Sequence, residues 1–110
     1  MKTNVLLIGN SARGQAIAEA IMRSEHNPTL FAYMKANNPG IAGLAQAIKI
    51  DEYNDLWRIT DFARHQDVSL AIIDPEEPLY YGAADALKAY GIPTVGPLRG
   101  LARIETEKSY

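Results

Sequence analysis

Val5-Leu6-Leu7-Ile8-Gly9-Asn10-Ser11-Ala12-Arg13-Gly14 opens the chain with four apolar residues in an unbroken run, then a glycine and a polar turn. An apolar run without alternation reads as a strand buried on both faces, the mark of a parallel sheet rather than a half-wet one. Ala16, Ile17, Ala20 and Ile21 follow at helical spacing, so a helix begins where the turn ends. A strand end running straight into a helix N-terminus leaves backbone N–H groups and the positive dipole end pointing outward. Phosphate suits that geometry, and Arg13 adds a charge-assisted bond.

The turn departs from two nucleotide motifs. Ser11 stands where G-x-G-x-x-G needs its second glycine, and Phe31-Ala32-Tyr33-Met34-Lys35 offers no acid to hold a ribose. Gln15-Ala16 after Gly14 replaces the Lys-Ser or Lys-Thr of a Walker loop. Dinucleotide binding and P-loop hydrolysis are both disfavoured. The plain alternative is a tight strand-to-helix turn with no ligand, since glycine there is useful for packing alone.

Outward from this stretch, Arg23 to Pro28 is a polar break ending in proline, and Thr29 to Tyr33 is a second, β-prone strand. Met34 to Gly40 carries the signals of a loop, Ala42 to Ala47 reads as a short helical turn, and Lys49-Ile50-Asp51 as a brief third strand. Asn54 or Asp55 caps a helix whose apolar positions are Leu56, Trp57, Ile59, Phe62 and Ala63, with Trp57 and Phe62 facing the core. Val68 to Ile73 is the next buried strand and ends at Asp74-Pro75-Glu76-Glu77-Pro78. A helix over Leu79 to Tyr90 stops at Gly91, and Ile92 to Val95 forms a short last strand before Gly96-Pro97. Leu98 to Tyr110 is helix-compatible, with Arg99, Arg103, Glu105, Glu107 and Lys108 on a solvated face.

Strands alternating with helices imply βαβ units on a parallel sheet. The 110 residues suffice for one small domain, and a net charge of −2 gives no basic footprint, so nucleic acid is not the expected partner. No cysteine is present, which removes disulfides and thiol catalysis and fits a reducing cytosol. No apolar run reaches membrane-spanning length, so a soluble, cytoplasmic protein with no membrane partner is expected.

In a parallel sheet, ligands gather at the carboxyl ends of the strands. Gly9–Gly14, Met34–Gly40 and Asp74–Pro78 all leave such ends, so three distant segments are expected to meet on one rim. Glu76 is placed to accept hydrogen bonds from sugar hydroxyls, while Glu77 reads more simply as an acid at a helix N-terminus. An amide-lined phosphate seat beside a carboxylate suits a phosphoribosyl compound. His26 and His65 read as surface residues, Ser11 lacks the context of a nucleophile, and nothing has metal-ligand spacing.

These motifs resemble the N-terminal domain of the phosphoribosylamine–glycine ligase family, ATP-grasp enzymes of purine synthesis. The family's opening glycine-rich turn ends in Gly-Arg-Glu; here it is Gly9-Asn10-Ser11-Ala12-Arg13-Gly14, with Ala12 for a glycine and Gly14 for the acid. Its Pro-Gly-Asn loop is matched by Pro39-Gly40 followed by Ile41. Its Gly-Pro-Glu-x-Pro-Leu is matched by Pro75-Glu76-Glu77-Pro78-Leu79, with Asp74 for the glycine. Its closing Gly-Pro…Leu-Glu-x-x-Lys-x-Phe is matched by Gly96-Pro97, Ile104-Glu105, Lys108 and Tyr110.

The resemblance implies an α/β, Rossmann-like pre-ATP-grasp fold: a parallel sheet of four to five strands with helices on both faces. It implies a substrate-binding role for Gly9, Asn10, Ser11, Ala12, Arg13, Gly14, Pro39, Gly40, Pro75 and Glu76, with Arg13 as the anchor and no catalytic residue or metal ligand. The substrate would be phosphoribosylamine, joined to glycine through a glycyl phosphate made with ATP. ATP and magnesium belong to the full-length enzyme, held mainly by later domains, and none is expected on this stretch. Residues 1–97 would be the pre-ATP-grasp domain and 98–110 the start of the connection to an ATP-grasp region, making the chain an excised domain inactive alone. Two other readings keep the fold: a stand-alone nucleotide- or CoA-binding module, and the same domain from another ligase such as a carboxylase. The Pro-Glu-x-Pro-Leu and Gly-Pro pair favours the glycine ligase.

Overall fold

The run Val5 to Ile8 becomes most of β1 (Asn4–Ile8), the middle strand of the sheet, and all four residues are at most 3% exposed. A computed structural model describes residues 3–76 and 82–107. The other strands are β2 (Thr29–Met34), β3 (Ala47–Ile50), β4 (Leu70–Ile73) and β5 (Thr94–Val95). Among the described residues five helices alternate with them: α1 (Ala12–Met22), α2 (Pro39–Ala42), α3 (Leu56–His65), α4 (Ala83–Lys88) and α5 (Pro97–Glu107). All pairings are parallel, in the order β3-β2-β1-β4-β5. The α/β class and the five-stranded parallel sheet are as the sequence implies.

The two faces of β1 seed two cores. Leu6 and Ile8 pack with Phe31, Tyr33, Ala71 and Ile73 beneath Ile59 and Ala63 of α3 and Leu87 of α4. Val5 and Leu7 pack with Leu30, Ala32, Leu70 and Ile72 beneath Ile17 and Ile21 of α1, Ile41 of α2 and Ile104 of α5. Burying an aliphatic side chain of this size contributes about 1.5–3 kcal/mol, so neither face is dispensable. The helices therefore cover both faces.

Several boundaries differ from the sequence reading, each for a local reason. The helical turn expected over Ala42 to Ala47 forms earlier, as α2, because Asn38 caps it: its Oδ1 accepts from the Gly40 and Ile41 amides at 2.9 and 3.3 Å, and Pro39 sits in the first turn. Ala47 is thereby free to start β3, which ends at Ile50 rather than Asp51. Trp57 is 71% exposed and not a core residue. The buried stripe of α3 is Ile59, Thr60 and Ala63, flanked by half-buried Leu56 and Phe62, and Trp57 falls roughly 100° around the helix from Leu56. Asp55, not Asn54, is the cap, accepting from the Arg58 amide at 3.1 Å.

The described part of the fourth helix begins at Ala83 after Gly82 in a left-handed conformation; the expected start at Leu79 lies outside the described residues. It ends at Lys88, two residues before the expected Tyr90, and Gly91 closes it as expected, at φ +78° with the Ile92 amide donating back to the Leu87 carbonyl at 3.0 Å. β5 keeps only Thr94 and Val95 of the predicted four residues. Pro93 has no N–H for the ladder, though its carbonyl accepts from the Ala71 amide at 2.9 Å. α5 lies against the same core as α1 through Ile104, which is 1% exposed, and Leu101.

Candidate functional site

Ile8 is level with Tyr33 on one side and Ile73 on the other, so the segments leaving β1, β2 and β4 emerge side by side on one edge. The three expected loops do converge as far as they are described, the third only over 74–76. A fourth segment, 51–55 after β3, joins them. From β1 the chain first steps outward to β2 and β3, then crosses back to β4 and β5 on the other side. The reversal lies between β1 and β4, where open α/β sheets offer their ligand crevice.

That crevice is filled by the side chain of Asp74, which is completely buried. Its Oδ2 accepts from the Ser11 amide at 3.2 Å and from the Ser11 hydroxyl in a short contact, and its Oδ1 accepts from the Glu76 amide at 3.0 Å. Ser11 caps α1 in turn, its Oγ accepting from the Gly14 amide at 3.0 Å. Both Gly9 and Gly14 make room for this carboxylate. A Cβ on Gly9, which sits at φ +141°, would lie 2.8 Å from Asp74 Oδ2, and one on Gly14 2.7 Å from the same atom. The glycines of the turn are thus explained by a residue sixty or more positions away.

The turn is braced from the β2 and β3 side as well. Asn38 Nδ2 donates to the Asn10 carbonyl at 3.1 Å, and the Tyr53 hydroxyl donates to Asn10 Oδ1 at 2.7 Å. Tyr53 packs on Tyr33, ring centroids 6.3 Å apart, and the Tyr33 hydroxyl donates to the Glu52 carbonyl at 2.8 Å. Burial, with the Asp51, Asp55 and Glu52 charges adding to it and Arg58 opposing, pushes the Tyr33 hydroxyl well above its ordinary range. It remains a neutral donor. Arg58 pairs with Asp51 at 3.2 Å and Asp55 at 3.0 Å, fixing the segment before α3.

Of the predicted site residues, Gly9, Asn10, Ser11 and Gly14 line this junction, and Ala12 and Arg13 are exposed on the first turn of α1. Pro39 and Gly40 belong to α2, with Gly40 against the Gln15 side chain. Pro75 and Glu76 are exposed at the end of β4, and Glu77 lies outside the described residues. Sequence reasoning missed Asp74, Asn38 and Tyr53. Asp74 had one visible signal, an acid in place of the expected glycine directly after a buried strand. His65 is exposed beside Asp61, 3.3 Å away. Among the described residues no cluster of His, Asp or Glu fits a metal ion, and no helix is long and apolar enough to cross a membrane.

The family model described as "Phosphoribosylglycinamide synthetase, N domain" matches residues 3–105. Among curated proteins, the chain is 46% identical over 107 residues to phosphoribosylamine–glycine ligase of Methanococcoides burtonii, covering 97% of this chain and 25% of that protein. It is 43% identical over 110 residues to the Methanosarcina acetivorans protein of the same name, covering 100% and 25%. The chain therefore spans about a quarter of the length of these relatives. Among solved structures, an N5-carboxyaminoimidazole ribonucleotide synthetase in complex with ADP superposes with a TM-score of 0.67 at 18% identity, over 94% of this chain and 25% of that one. The Staphylococcus aureus N5-carboxyaminoimidazole synthetase, also with ADP, superposes at 0.66 and 15% identity, over 94% and 26%. Those likenesses establish the fold.

Proposed function

Given that the chain belongs to the phosphoribosylglycinamide synthetase N-domain family, we propose that it supplies the substrate rim of a phosphoribosylamine–glycine ligase. That enzyme would join glycine to phosphoribosylamine at the expense of ATP, giving glycinamide ribonucleotide, ADP and phosphate, in the cytoplasm. This chain's part is to hold the phosphoribosyl substrate with Gly9–Gly14, Pro39, Gly40, Pro75 and Glu76. The observation that carries the reading is the meeting of these segments at the sheet's reversal point, tied by the Ser11–Asp74 and Asn38–Asn10 bonds.

Two open side chains on the rim have opposite charge. Arg13 suits a phosphate, and Glu76 suits ribose hydroxyls or an amine. The described residues fit neither a magnesium ion nor a Walker-type triphosphate seat. ATP and magnesium are assigned to an ATP-grasp region that would follow residues 98–110, and the 110 residues alone are expected to bind without turning over.

Titration of the chain with ribose 5-phosphate, followed by amide chemical shifts, tests this. Shifts are expected in 9–14, 38–40 and 74–76, with a millimolar dissociation constant, equivalent to roughly 4 kcal/mol. Movement confined to residues away from those segments overturns the assignment.

A further inference from the structure

The glycine turn has the outward form of an anion seat, but its own chain has put an anion in it. Asp74 accepts three hydrogen bonds through its two carboxylate oxygens, is fully buried, and rests against Gly9 and Gly14. Ser11 has spent both its amide and its hydroxyl proton on that carboxylate, and its Oγ lone pair on the Gly14 amide. Nothing on Ser11 remains to donate to a second anion. A phosphate in the crevice would also face a like charge within a few ångströms, where water is excluded and repulsion is strong. Asn10 is held in place by accepting through its side-chain oxygen from Tyr53 and through its carbonyl from Asn38.

We propose that Asp74 determines how this rim reads its ligand: its charge bars phosphate from the crevice between β1 and β4 and turns the substrate end for end. The phosphate lies outside, over the exposed first turn of α1 beside Arg13. The hydroxyl-bearing or amine-bearing end, which donates hydrogen bonds, faces the Asp74–Glu76 turn. A ligand with an anionic end and a donor end is selected over a doubly anionic one. This deepens the reading of the rim as a phosphoribosyl site and rests on it.

The test is Asp74→Asn, which keeps the shape and an acceptor for Ser11 but removes the charge. Inorganic phosphate is titrated into the 110-residue chain and its variant, following the Ser11 and Gly14 amides. Removal of a charge at this range predicts binding tighter by about tenfold or more in the variant. The ratio between variant and wild type should grow as the pH is raised through the second ionisation of phosphate, since a dianion is repelled more strongly than a monoanion, a response a purely structural bond does not have.

Equal or weaker phosphate binding by the variant overturns the proposal, as does a ratio indifferent to the charge of the phosphate. Should Asp74→Asn not fold, Asp74→Gly carries the same prediction, since it also vacates the seat. The two readings fail separately. Ribose 5-phosphate shifts on the wild-type rim, together with an unresponsive Asp74→Asn, reject the role of Asp74 alone. An unresponsive wild-type rim, with tighter inorganic phosphate binding by the variant, rejects the phosphoribosyl reading alone.

Discussion

Replacing Gly14 with alanine should destabilise this protein, although in most helices the same change stabilises. Gly14 lies in the first turn of α1, and alanine is favoured over glycine there by about 1 kcal/mol. Against that, the new Cβ would stand 2.7 Å from Asp74 Oδ2 and 3.4 Å from its Cγ. These atoms are not the loose end of a flexible chain: the same Oδ2 holds the amide and hydroxyl of Ser11. Relief means moving the carboxylate off Ser11, and a hydrogen bond to a charged group is worth about 1.5–3 kcal/mol. The net cost in the wild-type background is then about 0.5–2 kcal/mol. With Asp74→Gly the obstacle is gone, the nearest remaining atom is Ile41 Cδ1 at an ordinary 3.7 Å, and Gly14→Ala should stabilise by about 0.5–1 kcal/mol. Urea unfolding of the four proteins, read by far-ultraviolet circular dichroism, gives the coupling directly. A value near 2 kcal/mol is expected. Additivity within about 0.5 kcal/mol, or a Gly14→Ala variant more stable than wild type, would refute the claim that the glycine exists to seat Asp74.

Two further outcomes are expected. Tyr33 has a folded-state affinity for its proton well above the ordinary value of 10.0, so the folded form holds the proton after the unfolded form has lost it. Stability should therefore be level below pH 10 and fall as pH climbs beyond it, by up to about 1.4 kcal/mol per unit. Tyr33→Phe should lose about 0.5–1.5 kcal/mol at neutral pH, with the bond to the Glu52 carbonyl, but flatten the alkaline decline; urea midpoints at neutral and alkaline pH check both signs. Trp57→Ala should change stability by less than about 0.5 kcal/mol, since the ring is 71% exposed; a loss of about 3–5 kcal/mol would mean that it is a core residue after all.

What the sequence made legible was whatever a short window contains. Val5 to Ile8 and Leu70 to Ile73 carry apolar side chains to both faces, so strand and parallel sheet could be read without a partner in view. Asp55 and Gly91 each act within a few residues and behaved as their local chemistry dictates. Trp57 was misread because the window shows that apolar residues recur, not where the stripe is centred, and an aromatic at its margin is left outside when Ile59 and Ala63 face inward. The helical turn forms at 39–42 and not over 42–47 because Asn38, which in sequence carries only a loop signal, caps it with its side chain and also holds Asn10.

The rim shows why the site is harder to read than the fold. Its location follows from strand order, which the alternation of strands and helices implies. Its chemistry follows from which polar groups are already engaged, and here they are engaged across the chain: Ser11 donates to Asp74, while Asn10 accepts from Tyr53 and Asn38. A glycine turn before a helix advertises free amides in any sequence. Only an inventory of partners shows that this one is answered from within by a buried acid. The same inventory leaves the exposed Arg13 and Glu76 side chains to face outward with opposite charge. On the proposed reading, a rim whose inner seat is filled by an acid and whose outer charges are of opposite sign would discriminate by the ligand's polarity along its length. It would do so without giving up the phosphate, which would only have to be met at the exposed first turn of α1.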